Sequence, residues 1–265
     1  MDKLLVFVNF IEASQRALDQ AISLAKVKDS SIVICHIIRD ETDESEILAK
    51  LKPYSDQVEK EGINVTIELE HGAVFDAAAR AAQRIKPDLV VAGTRGVEGF
   101  DMSIFGSAIY KFVRDVSYTS LVMHPQSEIA NGGFHKIMLP ISPHPNFIKK
   151  VEESVKVLSD QGEVIVFTLI KKDTELDEDT AKNVELTKAY LDEHQINWKS
   201  LEMVTEKHDH SFAAQTLEQM KEQGMDLVSI SADVSARNKH FGKMHKEDIL
   251  LNESGIPVLC VNTDT

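Results

Sequence analysis

With 265 residues the chain is long enough for one large domain or two of ordinary size, and its 43% hydrophobic and 27% charged residues are those of a globular protein. Its 43 acidic and 29 basic side chains leave a net charge of −14, whose field opposes DNA, RNA and anionic membrane surfaces but not a mononucleotide held by local amides. No apolar run approaches the roughly 20 residues of a spanning helix, and the N-terminus lacks a signal-peptide layout, so we expect a cytoplasmic chain with no membrane or nucleic-acid partner.

The first apolar run, Lys3-Leu4-Leu5-Val6-Phe7-Val8-Asn9, reads as a buried strand. Residues 12–25 follow with apolar positions at Ala17, Leu18, Ala21, Ile22, Leu24 and Ala25, the spacing of a helix with one core face. A second strand is predicted over 31–38. The acidic stretch 44–61 has helical character but contains Pro53, which should kink it or start a new helix. Residues 64–70 alternate in strand fashion and end in His71-Gly72. The Ala-rich run 77–84 predicts a third helix, stopped by Pro87. Asp88-Leu89-Val90-Val91-Ala92 is a fourth strand, and Thr119-Ser120-Leu121-Val122-Met123 a fifth. Cys35 and Cys260 each lie inside an apolar run and read as buried small hydrophobes rather than a disulfide or a metal pair.

Between the fourth strand and the helix that begins near Ala108, glycines fall as Gly93-x2-Gly96-x9-Gly106-Ser107. Glycines at a strand-to-helix turn let the backbone approach a ligand and aim free N–H groups at it. Such donors hold anionic oxygens best, so the spacing reads as a phosphate cradle, with the Ser107 hydroxyl added at the helix start. The alternative is an ordinary flexible loop between strand and helix. Strands alternating with helices imply a parallel, doubly wound sheet, whose ligands bind beyond the carboxyl ends of the strands where the order reverses. Asn9 and Gly93 are the natural walls of that crevice.

Residues 126–133 contain Gly132-Gly133 and few apolar side chains, and read as a linker. Beyond it the pattern returns. Lys3-Leu4-Leu5-Val6 matches Lys136-Ile137-Met138-Leu139 at a shift of 133, as Ile63-Asn64-Val65 matches Ile196-Asn197-Trp198. Residues 32–38 match 164–170. Asp88-Leu89-Val90 matches Asp226-Leu227-Val228 at a shift of 138, and residues 119–122 match 257–260 at the same shift. A nearly constant shift with element order kept is a tandem duplication. The fold class expected is α/β, two tandem open-twisted parallel five-stranded sheets flanked by helices, with domains at 1–128 and 134–265.

The glycine spacing after a fourth strand resembles the ATP-binding signature of the universal stress proteins, a family in which paired domains in one chain are a familiar arrangement. The likeness spans the chain but is sharp only in the first half. The resemblance implies an ATP or ADP site in which Gly93, Gly96, Gly106 and Ser107 cradle phosphate. It places Asn9 where the family has an Asp that contacts the sugar or base; Asn keeps an acceptor and loses the charge. Ile37 corresponds to the family's apolar base contact in the second strand, Ala92 stands where Met is common and Ala108 where Val is usual. Arg95, inside the cradle, either pairs with a phosphate or is a loop arginine paired to Glu98 or Asp101.

The second half departs from this pattern. Ser142 takes the first-strand position, and after Leu227-Val228-Ser229-Ile230-Ser231 only Gly242 remains of the glycines, so we expect no nucleotide site there. His208, His210, His240 and His245 fall in two loops at one sheet edge and with Asp209 or Asp233 would suit Zn²⁺ or Ni²⁺. Without tight spacing on one element we read them as surface histidines and expect no metal. His71 and His124 read as structural or exposed.

The chain has no Walker lysine after its glycines, no HExxH, no G-x-S-x-G and no carboxylate pair placed for metal-assisted hydrolysis. The expectation is a stress-response protein whose bound nucleotide alters contacts with protein partners, at most a slow ATPase. The alternative is a nucleotide-free interaction scaffold with a vestigial cradle. An ATP pyrophosphatase would want a Ser/Gly-rich loop where this chain has Phe10-Ile11-Glu12-Ala13, and is set aside. The fifth strands would leave open edges, which in the family meet across a two-fold axis. We therefore expect the halves to pair inside one chain as a pseudo-dimer, and leave further homodimerisation open.

Overall fold

The computed structural model describes residues 1–39, 43–94, 109, 111–205, 212–232 and 249–263. In the first half β1 (Lys3–Phe7), α1 (Glu12–Lys28), β2 (Ser31–Ile38), α2 (Glu44–Lys60), β3 (Val65–His71), α3 (Val74–Ile85), β4 (Leu89–Gly93) and β5 (Ser120–Met123) follow in order, with a helical stretch at 111–115 before β5. In the second, β6 (Phe134–Pro140), α4 (Phe147–Lys156), β7 (Leu158–Lys171), α5 (Glu178–Glu193), β8 (Asn197–Thr205), α6 (Phe212–Glu222), β9 (Leu227–Ser231) and β10 (Val258–Val261) repeat it. The ten described strands form a single sheet ordered β3-β2-β1-β4-β5-β10-β9-β6-β7-β8.

Each half is thus a parallel five-stranded sheet of the same order, and the registers agree. Leu4 pairs with Leu89 as Ile137 pairs with Leu227, the positions that the shifts of 133 and 138 equate. The sheets fuse through one antiparallel pair, β5 with β10, in which Leu121 faces its own counterpart Leu259. A local two-fold axis therefore passes between them, and the halves pair inside the chain as expected. Both fifth strands are wholly buried, because pairing removes the edge each would otherwise expose.

Alternation along the strands divides the core into two layers. Leu4, Val6, Ile32, Ile34, Ile137 and Leu139 pack under α1, α2, α4 and α5 on one face. Leu5, Val33, Cys35, Val90, Met138 and Val228 pack under α3, α6 and the helical stretch at 111–115 on the other. The alanines of α3, at 77, 78, 81 and 82, are fully buried and let that helix lie close to the sheet.

Three readings gain detail. Pro53 starts no new helix and lies inside α2: Ile47 and Leu51 before it, and Ser55 and Val58 after it, are buried, while Ala49 and Pro53 face solvent. Burial on both sides offsets the roughly 3 kcal/mol that an interior proline costs, and the carbonyl it leaves unbonded lies on the wet face. β7 begins well before residue 164. Phe134 pairs with Leu158 and Lys136 already with Glu163, so residues 159–162 bulge out of a longer strand. The stretch 126–133 is pinned to α1. The side chain of buried Gln20 accepts from Ala130 N–H (2.8 Å) and donates to its carbonyl (3.1 Å), and Ser23 Oγ donates to the same oxygen.

The seam is laced by side chains in a reciprocal way. Beyond β10, Asn262 Nδ2 donates to the carbonyls of Val113 (3.1 Å) and Tyr118 (3.3 Å) in the first half. Beyond β5, Ser127 Oγ donates to the Gly255 carbonyl (2.7 Å) and His124 meets Asn252 in the second.

Candidate functional site

The strand order of the first half reverses at β1, which pairs with β2 on one side and β4 on the other. A crevice opens at such a switch point beyond the carboxyl ends of the strands. Phe7 is flanked by Cys35 and Ala92, so the next positions outward bring Asn9, Ile37 and Gly93 to one edge. Asn9 is exposed just past β1. Ile37 is half-buried and, like Phe7 and Phe75, packs against the core layer on the α3 face; Ala92 is 5% exposed in the same layer. The structure therefore gathers the four described candidates. Arg95, Gly96, Gly106, Ser107 and Ala108 lie outside the described residues, as do His208, His210, His240 and His245.

Gly93 has a local reason of its own. A Cβ there would stand 2.3 Å from the Ala13 carbonyl carbon, 2.4 Å from its oxygen and 2.6 Å from Ser14 N, all backbone of the first turn of α1. Only glycine lets β4 end against that turn. The next N–H, Thr94, is already spent on the Met123 carbonyl (2.8 Å), so the free donors of a cradle have to come from residues beyond it.

α1 enters the same edge without a side-chain cap. Its N-cap Ile11 is extended and apolar; Ser14 N–H and Gln15 N–H bond the Ile11 carbonyl, and Ser14 Oγ donates to that oxygen as well. α2, by contrast, is capped by Asp43, whose carboxylate accepts from Ser45 N–H. The opening of α1 thus keeps the partial positive charge of a helix N-terminus directed at the crevice, moderated by Glu12 in its first turn.

Next to Asn9, Phe10 occupies the left-handed region at φ 64° and is 36% exposed. Its ring centroid lies 4.7 Å from that of His36 and 6.0 Å from that of Tyr54. His36 Nδ1 donates to the Val8 carbonyl (2.6 Å), which holds the imidazole in place. The sequence reading passed over this group. Its one signal was a bulky residue, rather than glycine, in the tight connection between a strand end and a helix start.

The thiol of Cys35 is buried, and burial, with Glu70 adding to it, pushes its pKa up to about 12. It is a small core residue here, as is buried Cys260. His71 is exposed and meets Glu44 at 2.8 Å, whereas His124 is buried in the seam. Among the described residues no three His, Cys, Asp or Glu side chains are grouped so as to hold a metal ion, and no helix is long and apolar enough to cross a membrane.

The corresponding edge of the second half is stitched down. Asn183 Nδ2 of α5 donates to the carbonyls of Ser142 (2.8 Å) and His144 (2.9 Å). The His144 ring accepts from Asn146 N–H and meets Thr263 Oγ1, and Asn146 Nδ2 donates to the Thr263 carbonyl. Deeper in, Ser229 and Ser154 share a 2.8 Å hydrogen bond where the first half carries Val91 and Ala21. The loop after β6 is thereby tied to α5 and to the end of the chain.

The model of the universal stress protein family matches residues 1–124. The structure of a universal stress protein from Archaeoglobus fulgidus DSM 4304 is 15% identical and is covered, like this chain, over 98% of its length, with a TM-score of 0.75. A functionally unknown protein from Pseudomonas aeruginosa PAO1 is 13% identical over 99% of this chain and 92% of its own, with a TM-score of 0.66. The cytoplasmic domain of a prokaryotic cation chloride cotransporter is 13% identical over 99% of this chain and 96% of its own, with a TM-score of 0.55. At these identities the likeness is one of fold, and it runs through both halves. No curated protein matches the chain in sequence.

Proposed function

Residues 1–124 of this chain belong to the universal stress protein family, and on that premise we propose that the first half binds an adenine nucleotide, ATP or ADP, at the edge formed by β1, β2 and β4. The observation that carries this is the switch point itself, where Asn9, Ile37 and Ala92 converge on Gly93, the first glycine of the Gly-x2-Gly-x9-Gly-Ser sequence. Gly96, Gly106 and Ser107 supply the N–H and hydroxyl donors to phosphate, Arg95 a guanidinium and Ala108 a further contact. Asn9 presents an amide to ribose or base in place of a carboxylate, and Ile37 and Ala92 give apolar contact. The nucleotide domain is 1–128, and 134–265 is a second, degenerate copy of it.

The bound nucleotide acts as a signal read by protein partners in the stress response rather than as a substrate turned over. With its edge stitched down, the second half is the scaffold of this pseudo-dimer and takes no nucleotide, and the histidines at 208, 210, 240 and 245 remain metal-free. The uncharged Asn9 favours a second reading, an interaction scaffold whose cradle no longer binds.

Thermal melts with and without ATP, ADP and AMP separate the two. A nucleotide at a hundredfold excess over its Kd adds about 2.7 kcal/mol, which is roughly 5 °C or more for a chain of this size. Gly106→Val should abolish the shift and leave the unliganded melt in place. Absence of a shift with every adenine nucleotide selects the scaffold.

A further inference from the structure

Phe10 is unfavourable on two counts at once. Its backbone is left-handed at φ 64°, where a bulky L-residue is strained, and its ring is left 36% exposed beside the crevice. The other described non-glycine residues with positive φ are Asp29, Lys86, Ser117, Asp173 and Gln195, all polar. Asp29 and Lys86 close helices, a common use of that conformation. Phe10 instead precedes a helix, and nothing in the turn asks for an aromatic: glycine would take the same φ without strain.

The surroundings hold the ring ready. His36 backs it at 4.7 Å with a 38° tilt, Tyr54 of α2 meets it edge-on at 6.0 Å, and His36 is itself locked to the Val8 carbonyl. Phe10 stays 36% exposed beside these contacts. On its chain-upstream side is exposed Asn9; downstream, past Ile11, is the uncapped N-terminus of α1. A partly exposed aromatic between an amide and a helix N-terminus matches a ligand that has a planar ring at one end and an anion at the other.

We propose that Phe10 is the surface on which the base of the bound nucleotide stacks, so that the site prefers a nucleotide to a bare polyphosphate. This rests on the nucleotide reading of the same edge and names a specificity residue within it. Aromatic stacking tolerates any base, so Phe10 sets affinity for a base and leaves the choice among bases to its neighbours.

The test is calorimetric titration of ATP and of inorganic triphosphate into the wild-type chain, Phe10→Gly and Phe10→Trp. Glycine relaxes the backbone, so the variant is expected to melt no lower than wild type while binding ATP about tenfold more weakly, with triphosphate affinity unchanged. Tryptophan should keep ATP affinity within about threefold. Equal or tighter ATP binding by Phe10→Gly overturns the stacking role, the latter because the ring would then obstruct the crevice, and leaves the nucleotide reading standing. A wild-type chain that binds no ATP overturns both.

Discussion

Acid should weaken the seam between the two halves through a single imidazole. His124 follows β5 and is wholly buried, and burial lowers its pKa from 6.5 to about 4. Among the described residues its Nδ1 has no partner, and its Nε2 has the 3.3 Å approach of an Asn252 amide that already donates to the Ile249 and Ile256 carbonyls. The folded chain therefore keeps the ring neutral, while the unfolded chain protonates it near pH 6.5. Between those two values the unfolded state binds more protons, so stability is present above about pH 6.5 and is lost as the pH falls towards 4. From pH 7 to pH 4.5 the loss works out at about 2 kcal/mol. The assay is urea unfolding of the wild type and of His124→Asn at both pH values. That variant copies Asn262, the residue at the corresponding place after β10. Carboxylates titrate alike in the two proteins and cancel in the comparison. The wild type should lose about 2 kcal/mol more than the variant. An equal loss in both would refute the claim that the folded seam holds this ring uncharged.

Three further substitutions probe packing at the sheet edge and the buried polar pair. Gly93→Ala drives a methyl into the backbone of Ala13 and Ser14, and should cost about 2 kcal/mol or more in urea unfolding, with or without nucleotide. Ser154→Ala alone strands the buried Ser229 hydroxyl and should cost about 1–2 kcal/mol, whereas Ser154→Ala with Ser229→Val, the first half's Ala21 and Val91, should come back to within about 0.5 kcal/mol of wild type. A double variant no more stable than the single one would mean that the pair does more than satisfy itself.

Much of the architecture was legible because it follows from local periodicity. Alternating or continuous apolar runs marked the strands, and the shifts of 133 and 138 between Leu4 and Ile137 and between Leu89 and Leu227 foretold the matching registers. The sequence also showed that the second half has lost its glycines. It did not show how that edge is closed, because Asn183, His144 and Thr263 are far apart along the chain and meet only in space. Gly93 stood out in the sequence for a ligand alone; that the backbone of Ala13 and Ser14 also occupies the place of its missing Cβ depends on where α1 docks.

What the amino-acid order determined by itself is the alphabet of elements, their duplication and the chemistry concentrated before and after Gly93, since each depends on neighbours within one turn or one strand. What only the tertiary structure decided is the register in which the two fifth strands meet, Leu121 on Leu259, the single helix that α2 forms through Pro53 and the strained, exposed ring of Phe10. In each of these the burial or backbone conformation depends on elements that close in space rather than in sequence, and the packing they provide outweighs the local preference that the residues alone express.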